Sequence, residues 1–126
     1  MNPVVFFEVP ADDMSRAKRF YEQVFGWEID SSYARYFWVH TEPKLSGSHR
    51  SRGTGQVNGA LQQKDDAIQM TRVVVQVASI DAVTERIAAC GGSILLPKRS
   101  IAGTAMAYAI VRDTEGNEIN LMENLP

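Results

Sequence analysis

The sequence contains the same arrangement of residues twice. Residues 4–26 read VVFFEVPADDMSRAKRFYEQVFG, an apolar segment followed by a turn and an amphipathic segment that ends at glycine. Residues 71–92 read TRVVVQVASIDAVTERIAACGG and follow the same order. An internal repeat constrains the fold more than any single motif, because each copy must form similar local structure and bury its apolar face against a neighbour.

The first copy predicts a strand followed by a helix. Residues 4–9 are β-branched or aromatic, apart from one glutamate, and predict a strand that Pro10 ends. Asp12 or Asp13 is expected to cap the helix, and Gly26 to end it in the left-handed conformation. The expected buried face of the helix consists of Met14, Ala17, Phe20, Tyr21, Val24 and Phe25.

Three further strands are expected in the first copy, at residues 27–30, 33–41 and 56–62. The segment between the last two, residues 42–55, is rich in glycine and serine and is expected to be an exposed, mobile loop. Residues 63–70 are the expected joint to the second copy.

The second copy predicts a strand at residues 71–77 and a helix at 80–89, which Ser79 caps and two glycines end. Its apolar stripe consists of Ile80, Val83 and Ile87. Further strands are expected at 93–96, 104–112 and 117–124, with Lys98 in a loop after Pro97. The segment DTEGN before the last strand has the Asp and Gly of a tight turn.

Together these elements predict an α+β fold in a single domain. Two tandem βαβββ modules, residues 1–62 and 71–126, are expected to form a curved mixed sheet around a cleft, with the helices outside. Side chains alternate along a strand, so each strand has a helix side and a cleft side. The expected helix side consists of Val5, Phe7, Val9, Val73, Val75, Val77, Ile119 and Leu121. The expected cleft side consists of Val4, Phe6, Glu8, Arg72, Val74, Gln76, Glu118, Asn120 and Met122.

Composition narrows the possible partners and location. A net charge of -2 and a pI near 5.6 give no electrostatic reason to expect nucleic acid or an anionic membrane as partner. No apolar run is long enough to span a bilayer and no signal peptide is recognisable, so a cytoplasmic protein is expected. The lone cysteine, Cys90, excludes an internal disulfide and is expected to be buried.

The segments VVFFEVPADDMSRAKRFYEQVFGWEI, QVNGALQQ, GGSILLPK and VRDTEGNEINLME resemble the vicinal oxygen chelate superfamily. This superfamily includes glyoxalase I, extradiol dioxygenases and bleomycin resistance proteins. The resemblance implies the two-module fold. On the same resemblance we expect a homodimer. It also implies four divalent-metal positions, which correspond to Val4, Ala60, Arg72 and Asn120. Valine, alanine and arginine offer no side-chain lone pair to a metal, so we expect no metal and no other cofactor.

Charged and amide side chains on the cleft side are candidates for polar contacts with a ligand. Glu8 is either a general base or ligand anchor, or a structural partner of Arg72 or of backbone N–H groups. Arg72 either binds an anionic ligand group, or forms a salt bridge to Glu8, or is exposed at a strand end. Asn120 and Gln76 either orient a polar ligand or satisfy one another.

Aromatic side chains and a histidine complete the candidate ligand site. Tyr36, Trp38 and His40 share one side of their strand, which either lines the cleft or forms a core or dimer surface. His40 is also a candidate acid/base or metal ligand, whereas His49 is expected to be solvated. The remaining candidate ligand contacts are Phe6, Tyr108 and Met122.

Three functions are compatible with these residues. The first is a metal-independent protein that binds a small, partly aromatic polar molecule in the cleft. The second is a lyase or isomerase that uses Glu8 as base, with or without a divalent metal at an atypical place such as Glu8 with His40. The third is an interaction module whose cleft is filled by its own side chains.

Overall fold

A computed structural model describes residues 1–42 and 56–126 of the chain. Two compact units divide these residues. The first unit comprises Val5–Thr71, and the second comprises Met1–Val4 together with Arg72–Pro126. The expected loop at 42–55, apart from its first residue, and His49 lie outside the described residues.

The first unit is a mixed four-stranded sheet with one helix. Its elements are β1 (Val4–Ala11, whose first residue belongs to the second unit), α1 (Met14–Phe25), β2 (Glu28–Asp30), β3 (Tyr36–His40) and β4 (Gly59–Gln63). The strand order is β2-β3-β4-β1. Strand β1 pairs with β4 in parallel, whereas β3 is antiparallel to both β2 and β4.

The second unit repeats this order of elements. They are β5 (Arg72–Gln76), α2 (Ile80–Ala89), β6 (Ser93–Ser100), β7 (Met106–Arg112) and β8 (Glu118–Asn124). The strand order is β5-β8-β7-β6, with β5 parallel to β8 and the other pairs antiparallel. The predicted α+β fold and its repeated βαβββ pattern are therefore confirmed.

Local signals in the sequence place the ends of both helices. The Asp13 side chain accepts a hydrogen bond from Arg16 N at 2.9 Å, and Gly26 ends α1 at φ 70°. In α2 the Ser79 side chain accepts from Ala82 N at 3.2 Å. Both predicted caps are therefore confirmed. Each one satisfies a backbone donor that has no partner inside its helix.

One apolar side of each sheet packs against the helix of its own unit. In the first unit Phe37, Val39 and Leu61 form the centre of the core, with Phe7 and Val9 of β1 beside them. The core of the second unit contains Ile80, Ala107, Ala109, Val111 and Leu121, with Val75, Val83, Ile87 and Ile119 packed against it. The predicted helix sides of β1, β5 and β8 are confirmed at these positions, but Val73 is 43% exposed.

Two strands are longer than predicted because proline did not end them. Strand β1 continues through Pro10 to Ala11, whose carbonyl oxygen accepts from Lys64 N at 2.9 Å. Proline removes a backbone donor but keeps its acceptor, so pairing can continue beyond it. Strand β6 likewise continues through Pro97 to Ser100, with register shifts against β7 between Ile94 and Arg99. Lys98 therefore lies in a strand, not in a loop.

The predicted buried face of α1 is too wide. Met14 is buried, and Ala17 and Tyr21 pack against the core, but Phe20 and Val24 are 54% and 55% exposed. Phe20 is one residue from Tyr21 and therefore lies about 100° further round the helix. Phe25 does share the direction of Met14, yet it lies at the end of the helix and is 57% exposed.

Cys90 is exposed, not buried as expected. It is the C-cap residue of α2, and its backbone N–H donates to the carbonyl oxygen of Arg86 at 2.9 Å. Neither helix of the described residues is long and apolar enough to cross a bilayer.

Glu123 of β8 links the sheet of the second unit to the start of α2. Its carboxylate accepts from the backbone N–H of Ile80 at 2.7 Å and from Lys98 Nζ at 3.2 Å. The hydrogen bond from Ile80, followed by the hydrogen bond from Lys98 and the charge of Lys98, lowers the pKa of Glu123 below its usual value of 4.5. The carboxylate also compensates the partial positive charge at the helix N-terminus.

We predict that Glu123→Gln lowers the melting temperature at pH 7 and that this deficit disappears in acid. The lowered pKa means that the ionised carboxylate stabilises the fold above pH 4.5 and that this contribution is lost as the pH falls through the lowered pKa. Thermal unfolding from pH 7 to pH 2 measures the effect. Glu85→Gln, at an exposed position of α2, is the control and should stay close to wild type throughout. A deficit for Glu123→Gln that is equal at every pH would contradict this prediction.

Candidate functional site

In the first unit, the sheet side opposite α1 brings together side chains from three strands. Strand pairing places Glu8 of β1 beside Ala60 of β4, and Ala60 beside Trp38 of β3. Phe6 precedes Glu8 on the same side of β1, and Tyr36 precedes Trp38 on the same side of β3. The sequence-based grouping of Phe6, Glu8 and Trp38 on one side of the sheet agrees with this register.

Glu8 is buried and bound by a tyrosine. Glu8 is only 6% exposed. The Tyr36 hydroxyl donates a hydrogen bond to Glu8 Oε2 at 2.9 Å. Burial, then the negative charge of Glu8, then this hydrogen bond raise the pKa of Tyr36 well above its usual value of 10.0. Tyr36 is therefore a permanent donor to the carboxylate at neutral pH, which fixes the orientation of Glu8.

The rings of Phe6, Tyr36 and Trp38 are in contact on the side of the sheet that carries Glu8. The Trp38 ring lies 5.8 Å from the Phe6 ring and 5.1 Å from the Tyr36 ring, centroid to centroid, and it meets Tyr36 edge to face. These separations are typical of favourable aromatic pairs. The rings are inclined to one another by 53° and 79°, and they give this side of the sheet an aromatic surface next to the Glu8 carboxylate.

His40 lies on β3, beyond Tyr36 and Trp38, whereas Glu8 lies on β1. His40 is 3% exposed and follows Trp38 by two residues, whereas Glu8 lies at the level of Trp38. Within residues 1–42 and 56–126, no three His, Cys, Asp or Glu side chains converge in a way that could hold a metal ion. A metal bound by Glu8 with His40 would therefore need further ligands from elsewhere.

In the second unit, Arg72 forms a buried ion pair with Glu118. Arg72 is 2% exposed, and its Nε and Nη2 lie 3.0 Å and 2.6 Å from Glu118 Oε1. Arg112 approaches the other oxygen of Glu118 at 3.8 Å from a more exposed position. The alternative in which Arg72 is exposed at a strand end is wrong, because its side chain is buried against Glu118. The expected salt bridge to Glu8 stays a prediction.

The other candidates of the second unit lie in two rows across its sheet. Gln76, Met122 and Tyr108 are consecutive partners across β5, β8 and β7. Asn120 lies in the next row, between Val74 and Ile110. Each row lies on the side opposite α2, as predicted for the cleft side. How these rows combine with Glu8 and Trp38 of the first unit stays a prediction.

The residues at the metal positions implied by the family resemblance do not fit a divalent metal. Ala60 is fully buried and has no ligating atom, and Val4 has none either. Arg72 carries a positive charge at the third position, where Glu118 already binds it at 2.6 Å. Asn120 alone offers a neutral amide oxygen, which is a weak ligand for the metals that favour imidazole and carboxylate.

The sequence analysis missed the partners of its charged candidates. Tyr36 was placed on the correct side but not assigned to Glu8, and Glu118 was placed on the cleft side but not assigned to Arg72. In both cases two-residue alternation gives the side of the sheet, whereas the partner depends on strand register, which the sequence does not state. Gln62 was missed as well, although it shares the side of Ala60 by the same alternation.

Comparisons with known proteins agree with this fold. Residues 4–121 match the family model of the glyoxalase/bleomycin resistance protein/dioxygenase superfamily. The match covers nearly the whole chain, so the protein belongs to this superfamily. No curated protein sequence gave a significant match.

Several solved structures share the fold at low sequence identity. Methylmalonyl-CoA epimerase (Q60A) of Streptomyces coelicolor, in complex with 2-nitronate-propionyl-CoA, is 14% identical with a TM-score of 0.70, and each chain is covered completely. A superfamily member from Vibrio splendidus 12B01 is 16% identical with a TM-score of 0.62, covering 99% of this chain and 100% of that chain. The Mn(II)-bound glyoxalase of Novosphingobium aromaticivorans is 17% identical with a TM-score of 0.64, and the match covers 99% of this chain but 40% of that one.

We predict that the two arginines beside Glu118 differ sharply in their contribution to stability. Arg72→Met should lower the free energy of unfolding by about 3–5 kcal/mol, because it leaves the buried Glu118 carboxylate without its close partner. Arg112→Met should cost at most about 1 kcal/mol, since its side chain is 45% exposed and lies 3.8 Å away. Urea denaturation of both variants measures this difference. Equal losses would show that the Arg72–Glu118 pair is not the buried interaction described here.

We predict that Tyr36, one of the four tyrosines of the chain, does not ionise before the protein unfolds in alkali. The raised pKa of Tyr36 should keep its phenol protonated at pH values near about 11, where ordinary tyrosines have largely ionised. Ultraviolet titration of tyrosinate in wild type and Tyr36→Phe should therefore give the same amplitude up to that pH. A smaller amplitude in the variant would mean that Tyr36 titrates normally. Tyr33→Phe, at an exposed tyrosine, is the control that should lose amplitude.

Proposed function

We propose that this protein binds a small, partly aromatic polar molecule and does so without the divalent metal that its superfamily resemblance implies. The observation that carries this proposal is the ion pair of Arg72 and Glu118, in which a guanidinium bound at 2.6 Å stands at one of the implied metal positions. A metal there would have to displace or approach a fixed positive charge.

The ligand side of the proposal rests on the first unit. Its rings offer stacking surface at Trp38 and Phe6, and the Tyr36-bound carboxylate of Glu8 offers a fixed acceptor beside them. Sites for small molecules in proteins typically combine such apolar surface with a few fixed polar groups. In the second unit, Asn120, Gln76, Tyr108 and Met122 are proposed as further contacts, and His40 as a contact from β3.

A binding measurement in the presence and absence of metal tests this proposal. In a Trp27→Phe background Trp38 is the only tryptophan, so its fluorescence reports on the proposed surface. We expect members of a panel of aromatic alcohols, amides and carboxylates to quench it with the same Kd in EDTA as with added Zn²⁺, Ni²⁺, Mn²⁺ or Fe²⁺. We also expect the purified protein to retain no stoichiometric metal.

Two alanine variants provide the matched control for this experiment. Trp38→Ala should weaken binding of the panel members about tenfold when binding is followed by ligand-observed NMR. Tyr33→Ala removes an aromatic ring of the same unit that is 61% exposed, and it should leave the Kd unchanged. Binding that requires metal, or equal effects of the two variants, would overturn the proposal. Absence of any binding would favour the interaction module.

The second candidate is a lyase or isomerase in which Glu8 acts as base. The burial of Glu8 and its fixed orientation by Tyr36 favour it, because a general base must be held within hydrogen-bond reach of the proton that it takes. Glu8→Gln distinguishes the candidates. Loss of turnover of a bound substrate, with binding intact, would favour the enzyme over the binding protein. The expected homodimer and cytoplasmic location stay predictions under both candidates.

A further inference from the structure

Gln62 lies next to the Glu8–Tyr36 pair. On β4 it follows Ala60 by two residues and therefore points to the same side of the sheet as Glu8 and Trp38. Strand pairing places it beside Tyr36 of β3 and beside Pro10 of β1. All of these residues belong to the first unit.

The side-chain carbonyl oxygen of Gln62 is a buried acceptor. Within the described part of the chain, Gln62 Oε1 is excluded from solvent and accepts no hydrogen bond. An unpaired acceptor of this kind loses its hydration on folding without compensation, and buried polar groups are rarely left so. An acceptor that is unpaired in the free protein would gain a hydrogen bond from a ligand donor that reaches it.

The neighbours of Gln62 do not supply that donor. Its strand neighbour on β3 is Tyr36, whose hydroxyl donates to Glu8 Oε2 at 2.9 Å. Pro10 on the other side of Gln62 carries no side-chain polar atom and no backbone N–H. Glu8 and Gln62 therefore both place acceptor oxygens on the side of the sheet that carries the rings.

We propose that Gln62 determines ligand specificity by accepting a hydrogen bond from an N–H or O–H group of the ligand, whose planar ring lies against Trp38. This inference rests on the proposed binding function and adds the class of ligand: ring compounds that carry a hydrogen-bond donor. Ring compounds of the same shape without a donor leave Gln62 Oε1 unpaired in the complex and bind more weakly.

A pair of probes that differ only in the donor tests the inference. In wild type, 2-naphthol should bind about three- to tenfold more tightly than 2-methoxynaphthalene, as expected for one hydrogen bond. In Gln62→Met, which keeps the length of the side chain but removes the acceptor, this preference should disappear. In Gln62→Glu, which keeps an acceptor, a preference for 2-naphthol should remain.

Gln63→Met is the matched control. Gln63 is the next residue on β4, points to the other side of the sheet, and donates from Nε2 to the carbonyl oxygens of Ala11 and Asp12 at 3.3 Å and 3.0 Å. Its replacement should leave the probe preference unchanged and lower the melting temperature. Gln62→Met should instead keep or raise the melting temperature of the free protein, because it removes an unpaired buried acceptor.

The outcomes separate this inference from the proposed function. If both probes bind wild type equally well and Gln62→Met changes the affinity of neither probe, the role of Gln62 is overturned while the binding function stands. If neither probe binds wild type, both are overturned. A fall in melting temperature for Gln62→Met as large as that for Gln63→Met would show a structural role and also overturn the inference.

Discussion

Each unit of this protein depends on a sheet whose two sides have different neighbours. One side is apolar and packs against a helix of the same unit, through residues such as Leu61 in the first and Leu121 in the second. Once that packing fixes which side faces the helix, alternation assigns every other side chain to the opposite side. The positions of Glu8 and Arg72 follow from this constraint and not from any interaction of their own.

The repeat, the helix ends and the sides of the strands could be predicted from the sequence because each is a local property. Asp13, Gly26 and Ser79 act within one turn of their own positions, and alternation needs only the direction of one side chain. The errors arose where the outcome depends on distant residues. Pro10 continues a strand because β4 lies beside it, and Phe20 is exposed because it is turned about 100° round α1 from Tyr21, which packs against the core.

For the candidate site, the sequence identified the charged residues and the structure identified what binds them. Arg72 and Glu118 are 46 residues apart, and Glu8 and Tyr36 are 28 apart, so no local pattern connects them. Both pairs consist of groups that would be costly to bury alone. A function for this chain has to be argued from these pairs and not from the overall fold, because the same fold supports many chemistries.

The exposed thiol of Cys90 has a practical consequence for studies of assembly. The chain has one cysteine, so oxidation cannot close a disulfide within it but can join two chains covalently through the ends of their α2 helices. An apparent dimer in air-exposed samples would then reflect chemistry and not association. Oligomeric state is therefore meaningful only when it is measured in reductant or with Cys90→Ser, and the same thiol offers a single position for attaching a spectroscopic label.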